Sequence, residues 1–324
     1  MRILRQKTKP KLSVVIAFFN MEREARRTLF SLSTKYQQGV NKDEYEVIVL
    51  DSGSSQPLDP NWVTSIQDNY RYQYVNSKWP TPCEAMNMGI RMARAATVVL
   101  MIDGARILSP GVLSKMLMAE KLYETPFVYT IAMHLGYKLQ NESMLEGYDQ
   151  QQEDRLLASI DWRADGYSLF DISCLAASSI DGFLNPIAES NCFSMSKEML
   201  LQLGGYDENF RTSGGGFVNL DLFKRAQSLP ALQPVKLLGE ATFHQYHGGV
   251  ATNVSYKNHP GKVYQQEYKS LRGSDYVSVC RHPLFLGEIP LNSVKFLDTC
   301  ITERREKTIR TIPVNLIPDS PLSY

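Results

Sequence analysis

The sequence predicts an α/β fold in which a doubly wound, mostly parallel sheet is flanked by helices. Three observations support this prediction. Short apolar runs rich in β-branched residues, which are typical of buried strands, recur along the first 133 residues. Segments with apolar residues three and four positions apart, which are typical of helices, alternate with these runs. Turns containing Asn, Asp or Gly close several runs, and strand–helix alternation of this kind gives parallel strands joined by right-handed crossovers.

The first β–α–β unit begins with the apolar run Leu12–Phe18. Asn20 is a residue type that caps helices, so we expect it to begin the amphipathic helix that follows. Gly39 is a plausible stop for this helix, because glycine tolerates the left-handed conformation found after helix ends. A second apolar run at 45–50 then ends at Asp51. Both strands should run parallel.

The second unit repeats the pattern. We predict a short helix at 60–67 and a strand at 70–75. Thr81-Pro82-Cys83-Glu84 fits a capping box with proline at the first helical position, and it should open the next helix. Five apolar residues at 98–102 form a further buried strand that ends at Asp103.

Asp103 is predicted to stand where ligands usually bind, outside the carboxyl end of a parallel strand. Gly104 allows the backbone to turn sharply or to approach a ligand closely. Ser109-Pro110 should cap the next helix, which leads to a strand at 126–133. The structural alternative is that Asp103 is a turn residue, since Asp and Gly favour turns for local reasons.

The alternation breaks after residue 133. The segment 137–180, with a helix at 149–160, is interpreted as an insertion over the carboxyl edge of the sheet. A strand at 191–196 should return to the sheet, and Ser196 should cap a helix ending near 203. The remaining expected elements are a helix at 220–227, a strand at 235–238 and a helix at Gly261–Arg272.

The chain of 324 residues should therefore comprise a basic tail at 1–10, one domain at 11–250 that includes the insertion, and a helical or irregular extension at 251–324. A net charge of +1 gives no field for nucleic acid. The absence of an 18-residue apolar stretch and of a signal-peptide pattern predicts a cytoplasmic protein without a transmembrane segment. Five widely spaced cysteines form neither a disulfide framework nor a metal-binding CxxC pair.

Five segments in order resemble the family 2 glycosyltransferases of the GT-A fold. They are V-V-I-A-F-F-N at 14–20, Y-E-V-I-V-L-D-S-G-S-S at 45–55, A-M-N-M-G-I at 85–90, the strand ending at Asp103, and S-K-E-M-L-L-Q-L-G-G-Y-D-E-N-F at 196–210. Each segment alone is unspecific, whereas their order and spacing together are specific. The resemblance implies a GT-A sheet with a C-terminal extension.

The resemblance also implies roles for individual residues. The loops after the first and second strands hold the nucleotide in this family, which places four residues near the base and ribose: Ala17, Phe18, Asn20 and Asp51. The family's Asp-x-Asp motif binds a divalent metal, Mn²⁺ or Mg²⁺, at the sugar diphosphate. Its first carboxylate corresponds to Asp103, which would therefore also contribute to nucleotide binding.

Two positions depart from the family pattern around the metal. Ala105 replaces the second aspartate of the motif, so one carboxylate is lost. His244 and His247 follow the last core strand, and a histidine at such a place completes the metal site in several GT-A enzymes. Imidazole nitrogens can replace a carboxylate as metal ligands. The alternative is that both histidines only form hydrogen bonds in a loop.

The catalytic base is the second departure. Val218 and Asn219 stand where the family carries an acidic pair, whereas Asp221 is retained. The related polypeptide N-acetylgalactosaminyltransferases have Glu-Asn here, which gives a precedent for the asparagine. The base is then Asp221, Asp207 or Glu189, or the chain does not perform the usual displacement.

The expected activity is metal-assisted transfer of a sugar from a nucleotide sugar, most simply a UDP-sugar, to a carbohydrate or other hydroxyl acceptor. The alternative is a non-catalytic GT-A protein that binds a nucleotide sugar or acts as a scaffold, because both acidic motifs are incomplete. A nucleotidyltransferase is a weaker possibility, since no Gly-rich loop with Lys or Arg follows the first strand.

Overall fold

A computed structural model of the chain describes residues 9–279 and 281–298. The strands are β1 (Leu12–Phe18), β2 (Tyr45–Asp51), β3 (Tyr70–Tyr74), β4 (Thr97–Met101), β5 (Arg106–Leu108), β6 (Pro126–Leu135), β7 (Ser173–Leu175), β8 (Phe193–Ser196), β9 (Gln233–His244) and β10 (Leu284–Gly287). The helices are α1 (Glu22–Ser31), α2 (Pro60–Ile66), α3 (Cys83–Met92), α4 (Val112–Leu122), α5 (Gln140–Ser143), α6 (Gln150–Ala158), α7 (Lys197–Gln202), α8 (Val218–Gln227) and α9 (Gly261–Arg272).

The strands form one sheet in the order β10-β9-β6-β8-β4-β1-β2-β3. Along this path only β8 runs antiparallel to its neighbours, β4 and β6. The short strands β5 and β7 pair antiparallel with β9 and β6 outside the path. The predicted doubly wound, mostly parallel α/β sheet is confirmed.

The continuous apolar runs are explained by burial on both faces of the sheet. Every residue of β1, β2, β4 and β6 is buried. Successive residues of β1 pack on opposite faces, so Val15 belongs to the core that contains α3 and Val14 to the core that contains α1 and α4. A strand covered by helices on both faces has no polar face, which is why these strands show no alternation.

The element predictions are largely confirmed. The bounds of β1 and α9 agree with the prediction, and Ser196 caps α7 by accepting a hydrogen bond from the N–H of Met199. Two predictions about the sheet were incomplete. The strand expected at 235–238 extends over Gln233–His244, and β5 was not foreseen. Both differences arise from pairing with distant strands, which the local pattern does not contain.

The predicted ends of α1 were wrong. Met21, not Asn20, occupies the cap position of α1. The side-chain oxygen of Asn20 instead accepts hydrogen bonds from the N–H and Oγ of Ser55, in the loop after β2. The helix ends at Ser31, well before Gly39. A long-range partner has thus replaced the local capping bond.

Two further predicted caps, at α4 and α3, were also wrong. Ser109 does not cap α4, because its Oγ donates a hydrogen bond to the buried carboxylate of Glu240. The expected capping box at α3 is absent, since no side chain caps this helix within the described chain. The carboxylate of Glu84 accepts a hydrogen bond from the N–H of Lys78 instead.

The predicted extension contributes to the sheet, because β10 lies parallel to β9. Residues 1–8 of the predicted basic tail and residues 299–324 of the extension lie outside the described residues, as do Cys280 and Cys300. The free thiols in the described part are Cys83, Cys174 and Cys192. Within residues 9–279 and 281–298, no helix has the length and apolar character needed to cross a bilayer.

Candidate functional site

The carboxyl ends of β1, β2 and β4 meet at one edge of the sheet. The N–H of Ser52 donates a hydrogen bond to the carbonyl oxygen of Phe18 at 2.8 Å, which joins the first two loops. A Cβ atom on Gly104 would lie 2.6 Å from the carbonyl oxygen of Ala17 and 2.3 Å from a ring carbon of Phe18. Only glycine fits there, so the turn after Asp103 packs directly on the end of β1.

Asp51 and Asn20 fix the two loops expected to hold a nucleoside. Asp51 is fully buried, and its two carboxylate oxygens accept hydrogen bonds from the N–H groups of Ser54 at 3.0 Å and Leu58 at 2.9 Å. Asn20 has a positive φ of 52°, and its N–H donates to Ser54 Oγ at 2.8 Å. Both side chains therefore hold the shape of this edge.

Phe19 is a residue that sequence reasoning did not select. Its side chain is 52% exposed, whereas Ala17 and Phe18 are buried. An exposed aromatic ring at the carboxyl end of a central strand offers a stacking face for a planar ligand. The signal in the sequence was an aromatic residue placed directly after the end of a buried strand.

Asp103, His244 and His247, the three residues that the sequence suggested as metal ligands, lie together. One potential ligand atom from each residue lies within 4.8 Å of the others. The Nε2 atom of His244 is 3.3 Å from Asp103 Oδ2, and the Nε2 atom of His247 is 3.9 Å from Asp103 Oδ1. The two Nε2 atoms are 3.2 Å apart. Two imidazole rings and one carboxylate thus lie close enough to contact the same ion.

The insertion orients the first histidine. His244 Nδ1 lies 2.7 Å from the side-chain oxygen of Gln140, at the start of α5, and Gln140 Nε2 donates to the carbonyl oxygen of His244 at 3.1 Å. Asn253 also donates to the side-chain oxygen of Gln140, at 3.0 Å. Because this oxygen is an acceptor, the proton of neutral His244 lies on Nδ1 and the lone pair of Nε2 faces Asp103.

The second histidine is held by its backbone. The side-chain oxygen of Asn253 accepts hydrogen bonds from the N–H groups of three successive residues, His247, Gly248 and Gly249, at 3.2, 2.9 and 2.9 Å. The loop after β9 is therefore closed on Asn253, which fixes the direction of the His247 side chain. Neither Gln140 nor Asn253 was recognised in the sequence as part of the site.

Arg106 sets the charge of the cluster. It is 5% exposed, and its Nε donates to Asp103 Oδ2 at 3.0 Å. Burial alone would raise the pKa of Asp103, but the positive charge of Arg106 outweighs burial and holds that pKa well below its usual range. Burial, together with Arg106, lowers the pKa of His244 to about 4. At neutral pH the cluster thus contains an ionised carboxylate and a neutral imidazole.

These groups fit a divalent metal. Three possible ligand atoms converge: a carboxylate oxygen of Asp103 and the Nε2 atoms of His244 and His247. Because the proton of His244 lies on Nδ1, no hydrogen lies between His244 Nε2 and the Asp103 oxygen, and their lone pairs face each other. A cation relieves the repulsion of such lone pairs. A set of two imidazoles and one carboxylate suits Mn²⁺ better than Mg²⁺, which prefers oxygen ligands. In the described chain Arg106 Nη1 is buried without a hydrogen-bond partner.

Glu189 lies in the same electrostatic neighbourhood. Its Oε1 accepts a hydrogen bond at 2.6 Å from Asn219, which also donates to the carbonyl oxygen of Ser190 at 3.0 Å. The hydroxyl of Tyr206 donates to the side-chain oxygen of Asn219 at 3.2 Å. Burial and the negative charge of Asp103 raise the pKa of Glu189, although Asn219 and Arg106 oppose the shift. Glu189 is thus a carboxylate suited to accept a proton.

Asp221 and Asp207 lie in a different cluster. Asp221 is 1% exposed, and its oxygens accept hydrogen bonds from Arg225 Nε at 2.7 Å and from Arg272 Nε and Nη2 at 2.7 and 2.9 Å. Arg272 Nη2 also lies 2.8 Å from Asp207 Oδ2. Arg225 donates to the carbonyl oxygens of residues 203 and 205. This network fastens α8, α9 and the turn at 204–208 to each other.

The helix α6 of the insertion is clamped to the same edge of the sheet. Arg23 Nη2 lies 3.1 Å from Glu153 Oε1 and 2.7 Å from Asp154 Oδ1. The other oxygen of Glu153 accepts a hydrogen bond from the N–H of Tyr246 at 2.6 Å. Tyr246 lies between the two histidines in sequence, so this clamp links the insertion to the loop that carries His247.

The chain matches a protein-family model and is similar to solved structures. A family model described as "Glycosyltransferase like family 2" matches residues 13–272. The chain is similar to the crystal structure of S. aureus TarS 1-349, with 11% identity over 72% of this chain and 60% of TarS 1-349 and a TM-score of 0.49. The structure of TarS 1-349 in complex with UDP-GlcNAc aligns with 12% identity over 94% of this chain and 77% of that chain, with a TM-score of 0.45. No curated protein matches the chain.

Proposed function

Because the chain belongs to the glycosyltransferase-like family 2, we propose that it transfers a sugar from a nucleotide-sugar donor to a hydroxyl group of an acceptor. The family resemblance predicted from the sequence is confirmed by this membership. The observation that carries the proposal is the convergence of Asp103, His244 and His247 at the carboxyl edge of the sheet. Ligands of open α/β sheets bind at this edge.

The donor is a UDP-sugar in the simplest form of the proposal. Asn20 ties the loop after β1 to the loop after β2, Asp51 holds the shape of the second loop, and the exposed ring of Phe19 lies beside Asn20 in the first. These loops would receive the nucleoside. A divalent metal at Asp103, His244 and His247 would offset the negative charge that develops on the diphosphate leaving group. Arg106 holds the Asp103 carboxylate in place and keeps it ionised.

Glu189 takes the proton from the acceptor hydroxyl in this proposal. It shares the charged surroundings of Arg106 and Asp103, and an amide hydrogen bond from Asn219 fixes its position. Asn219 would then be a positioning residue. Asp221 was an equal candidate in the sequence, but both of its oxygens are engaged by guanidinium groups. Asp207 is likewise bound to Arg272. We therefore assign the base to Glu189.

The second candidate function is a nucleotide-sugar-binding or scaffold protein without turnover. Ala105 and Val218, which stand at two acidic positions of the family pattern, favour it. Both functions require nucleotide binding, and only transfer requires a base beside the acceptor. The two are separated by measuring binding and turnover on the same preparation.

Calorimetry with UDP and a panel of UDP-sugars, with and without Mn²⁺, tests the proposal. We expect nucleotide binding that strengthens in Mn²⁺, and loss of this metal effect in Asp103→Asn. Asp43→Asn is the matched control, because Asp43 is exposed and lies outside the cluster. Absence of nucleotide binding under every condition would contradict both functions. Nucleotide binding with only background release of UDP from donor and acceptor mixtures would favour the scaffold.

A further inference from the structure

A second cleft lies outside the cluster at Asp103. It is bordered by α1 and the turn that follows it, by α2 and by residue 163 of the insertion, and it encloses about 280 Å³. We call it the basic cleft and define it by Arg26, Phe30, Lys35, Trp62 and Arg163. Its volume is near the lower end of the range of about 300–1,000 Å³ for small-molecule sites. A ligand of monosaccharide size would fill it.

Two of the three cations of the basic cleft, Lys35 and Arg163, have no carboxylate partner among the described residues. Three of its side chains are positively charged, and no Asp or Glu lines it among the described residues. The Arg163 guanidinium and the Lys35 ammonium have no hydrogen-bond or ion-pair partner in the described chain. Among the described residues, Arg26 forms an ion pair only with Glu22, and both side chains of this pair are more than half exposed. Because such an exposed ion pair is weak, Arg26 can still attract an anionic ligand.

Arg163 is oriented by aromatic rings and not by acids. Its guanidinium carbon lies 4.6 Å from the ring centre of Phe30 and 4.7 Å from that of Trp162. These cation–π contacts use no N–H donor in a hydrogen bond, so the donors of Arg163 remain available to a ligand. Burial and the neighbouring charge of Arg27 lower the pKa of Arg163. The aromatic rings thus hold this positive charge in place, and no described residue forms an ion pair with it.

The rest of the lining combines aromatic and aliphatic side chains with two serines, Ser33 and Ser65. Trp62 and Phe30 are partly buried, and Arg26 lies 5.0 Å from the ring centre of Trp62, which fixes one side of the cleft. Three cations around a small volume match the charge of a phosphate monoester, about −1.5 to −2 at neutral pH, better than a single carboxylate. The aromatic walls can cover the non-ionic body of the ligand.

We propose that the basic cleft binds a small organic phosphate, such as a phosphorylated sugar, between Arg26, Lys35 and Arg163. The phosphate oxygens accept hydrogen bonds from the guanidinium N–H groups of Arg163 and from the ammonium group of Lys35. The sugar body lies against Phe30 and Trp62. This site does not depend on the proposed transferase activity, because it shares no residue with the cluster at Asp103.

Titration with glucose 6-phosphate, followed by calorimetry and by tryptophan fluorescence, tests the proposal. Inorganic phosphate and glucose are the comparison probes. We expect glucose 6-phosphate to bind at least 10-fold more tightly than either probe, with affinity falling as salt is raised. Equal binding of inorganic phosphate, or no binding at millimolar glucose 6-phosphate, would overturn the proposal.

Substitutions in the basic cleft test whether glucose 6-phosphate binds there. Arg163→Gln and Lys35→Gln should each weaken glucose 6-phosphate binding by about 10-fold or more. Arg155→Gln is the matched control, because Arg155 is an exposed arginine of the same insertion outside the cleft. Asp103→Asn should bind the probe like the wild type. Unchanged affinity in Arg163→Gln, or lost binding in Asp103→Asn, would show that the phosphate binds elsewhere. Thermal melting confirms that each variant is folded.

Discussion

Two clusters of charged residues lie near the start of α8, and they differ in how completely their polar groups are satisfied. The closed cluster consists of Asp207, Asp221, Arg225 and Arg272, and each carboxylate in it contacts a guanidinium group. The open cluster consists of Asp103, Arg106, His244, His247 and Glu189. In it, acceptor atoms of three residues converge, and within the described chain Arg106 Nη1 is buried without a partner.

This difference separates structural from functional carboxylates. A buried carboxylate whose oxygens are fully bonded stabilises the fold but has no free lone pair for a substrate or metal. Converging acceptors without hydrogens between them are unfavourable unless a cation or a ligand completes the site. The closed cluster is therefore expected to affect stability and the open cluster to affect binding and turnover.

The largest expected effect is on turnover after substitution in the open cluster. Glu189→Gln keeps the shape of the side chain but removes the base, so kcat should fall by about 10²–10⁴-fold. Nucleotide affinity and melting temperature should change little. UDP release under saturating donor and acceptor measures the first quantity, and calorimetry and thermal melting measure the others.

The control for this variant is Glu198→Gln, which removes an exposed carboxylate of α7. It should leave kcat unchanged. If Glu189→Gln retained most of its turnover while Asp221→Asn lost it, the base would belong to the closed cluster and the comparison would be reversed.

The next effect is on stability after substitution in the closed cluster. Asp221→Asn removes the charge that Arg225 and Arg272 share. Breaking a buried ion pair from one side costs about 3–5 kcal/mol, and partial exposure of the two arginines favours the lower end, about 3 kcal/mol. Urea unfolding monitored by circular dichroism measures the change. Asp68→Asn, at an exposed pair with Lys42, should cost far less than Asp221→Asn. Similar losses in both variants would contradict the distinction.

The open cluster could be predicted in part from the sequence. Asp103 ends a buried parallel strand, and the histidines follow another strand whose carboxyl end lies at the same edge, so their proximity follows from a general rule of α/β sheets. Arg106 was not predicted, because β5 pairs with β9 across more than a hundred residues and brings Arg106 opposite His244. No local pattern contains that pairing.

The closed cluster and the helix caps show the limits of local reasoning more clearly. Asp221 was retained from a family motif, and only the structure shows that Arg272, from another helix, occupies its oxygens. Ser109 matches a cap in sequence, but a buried Glu240 from β9 takes its hydroxyl. A local capping bond contributes about 1 kcal/mol, whereas a buried carboxylate left without a hydrogen bond costs more.

A smaller effect is expected from the residue that positions Glu189. Asn219→Ala removes the amide hydrogen bond to the Glu189 carboxylate, which should lower kcat by roughly 10-fold. Because this bond favours the ionised form of Glu189, its loss should raise the pKa of Glu189 further and shift the acid limb of the pH–rate profile to higher pH. A purely structural role would leave that limb in place.

Tyr206→Phe is the control for this variant. It removes the hydrogen bond to the other side of the Asn219 amide and keeps the bond to Glu189. Its acid limb should remain near that of the wild type. A shift in Tyr206→Phe without one in Asn219→Ala would show that Asn219 does not act on Glu189.

The smallest expected effect concerns Glu153, which contacts guanidinium groups like the closed cluster but differs from it in its pKa. Burial raises the pKa of Glu153 from 4.5 to about 7, even though the N–H of Tyr246 and the charges of Arg23 and Arg27 oppose the shift. By contrast, Arg272 and Asn209 outweigh burial at Asp207 and lower its pKa. Contact with arginine alone therefore does not define a closed cluster. A carboxylate belongs to it when its partners outweigh the effect of burial and lower its pKa.

The sign of the resulting pH dependence follows from proton binding. Between pH 4.5 and about 7 the folded chain holds the Glu153 proton more tightly than the unfolded chain, so the contribution of Glu153 to stability is complete below pH 4.5 and is lost as pH rises through 7. The free energy of unfolding of the wild type, minus that of Glu153→Gln, should decrease by on the order of 1 kcal/mol from about pH 5 to about pH 8. Asp154→Asn is the neighbouring control: burial is outweighed there by Arg23 and Arg27, the pKa of Asp154 is lowered, and its difference from wild type should stay flat over this range. If the difference in the free energy of unfolding between wild type and Glu153→Gln did not change with pH, the pKa of Glu153 would not be raised. Contact with arginine would then be enough to assign a carboxylate to the closed cluster.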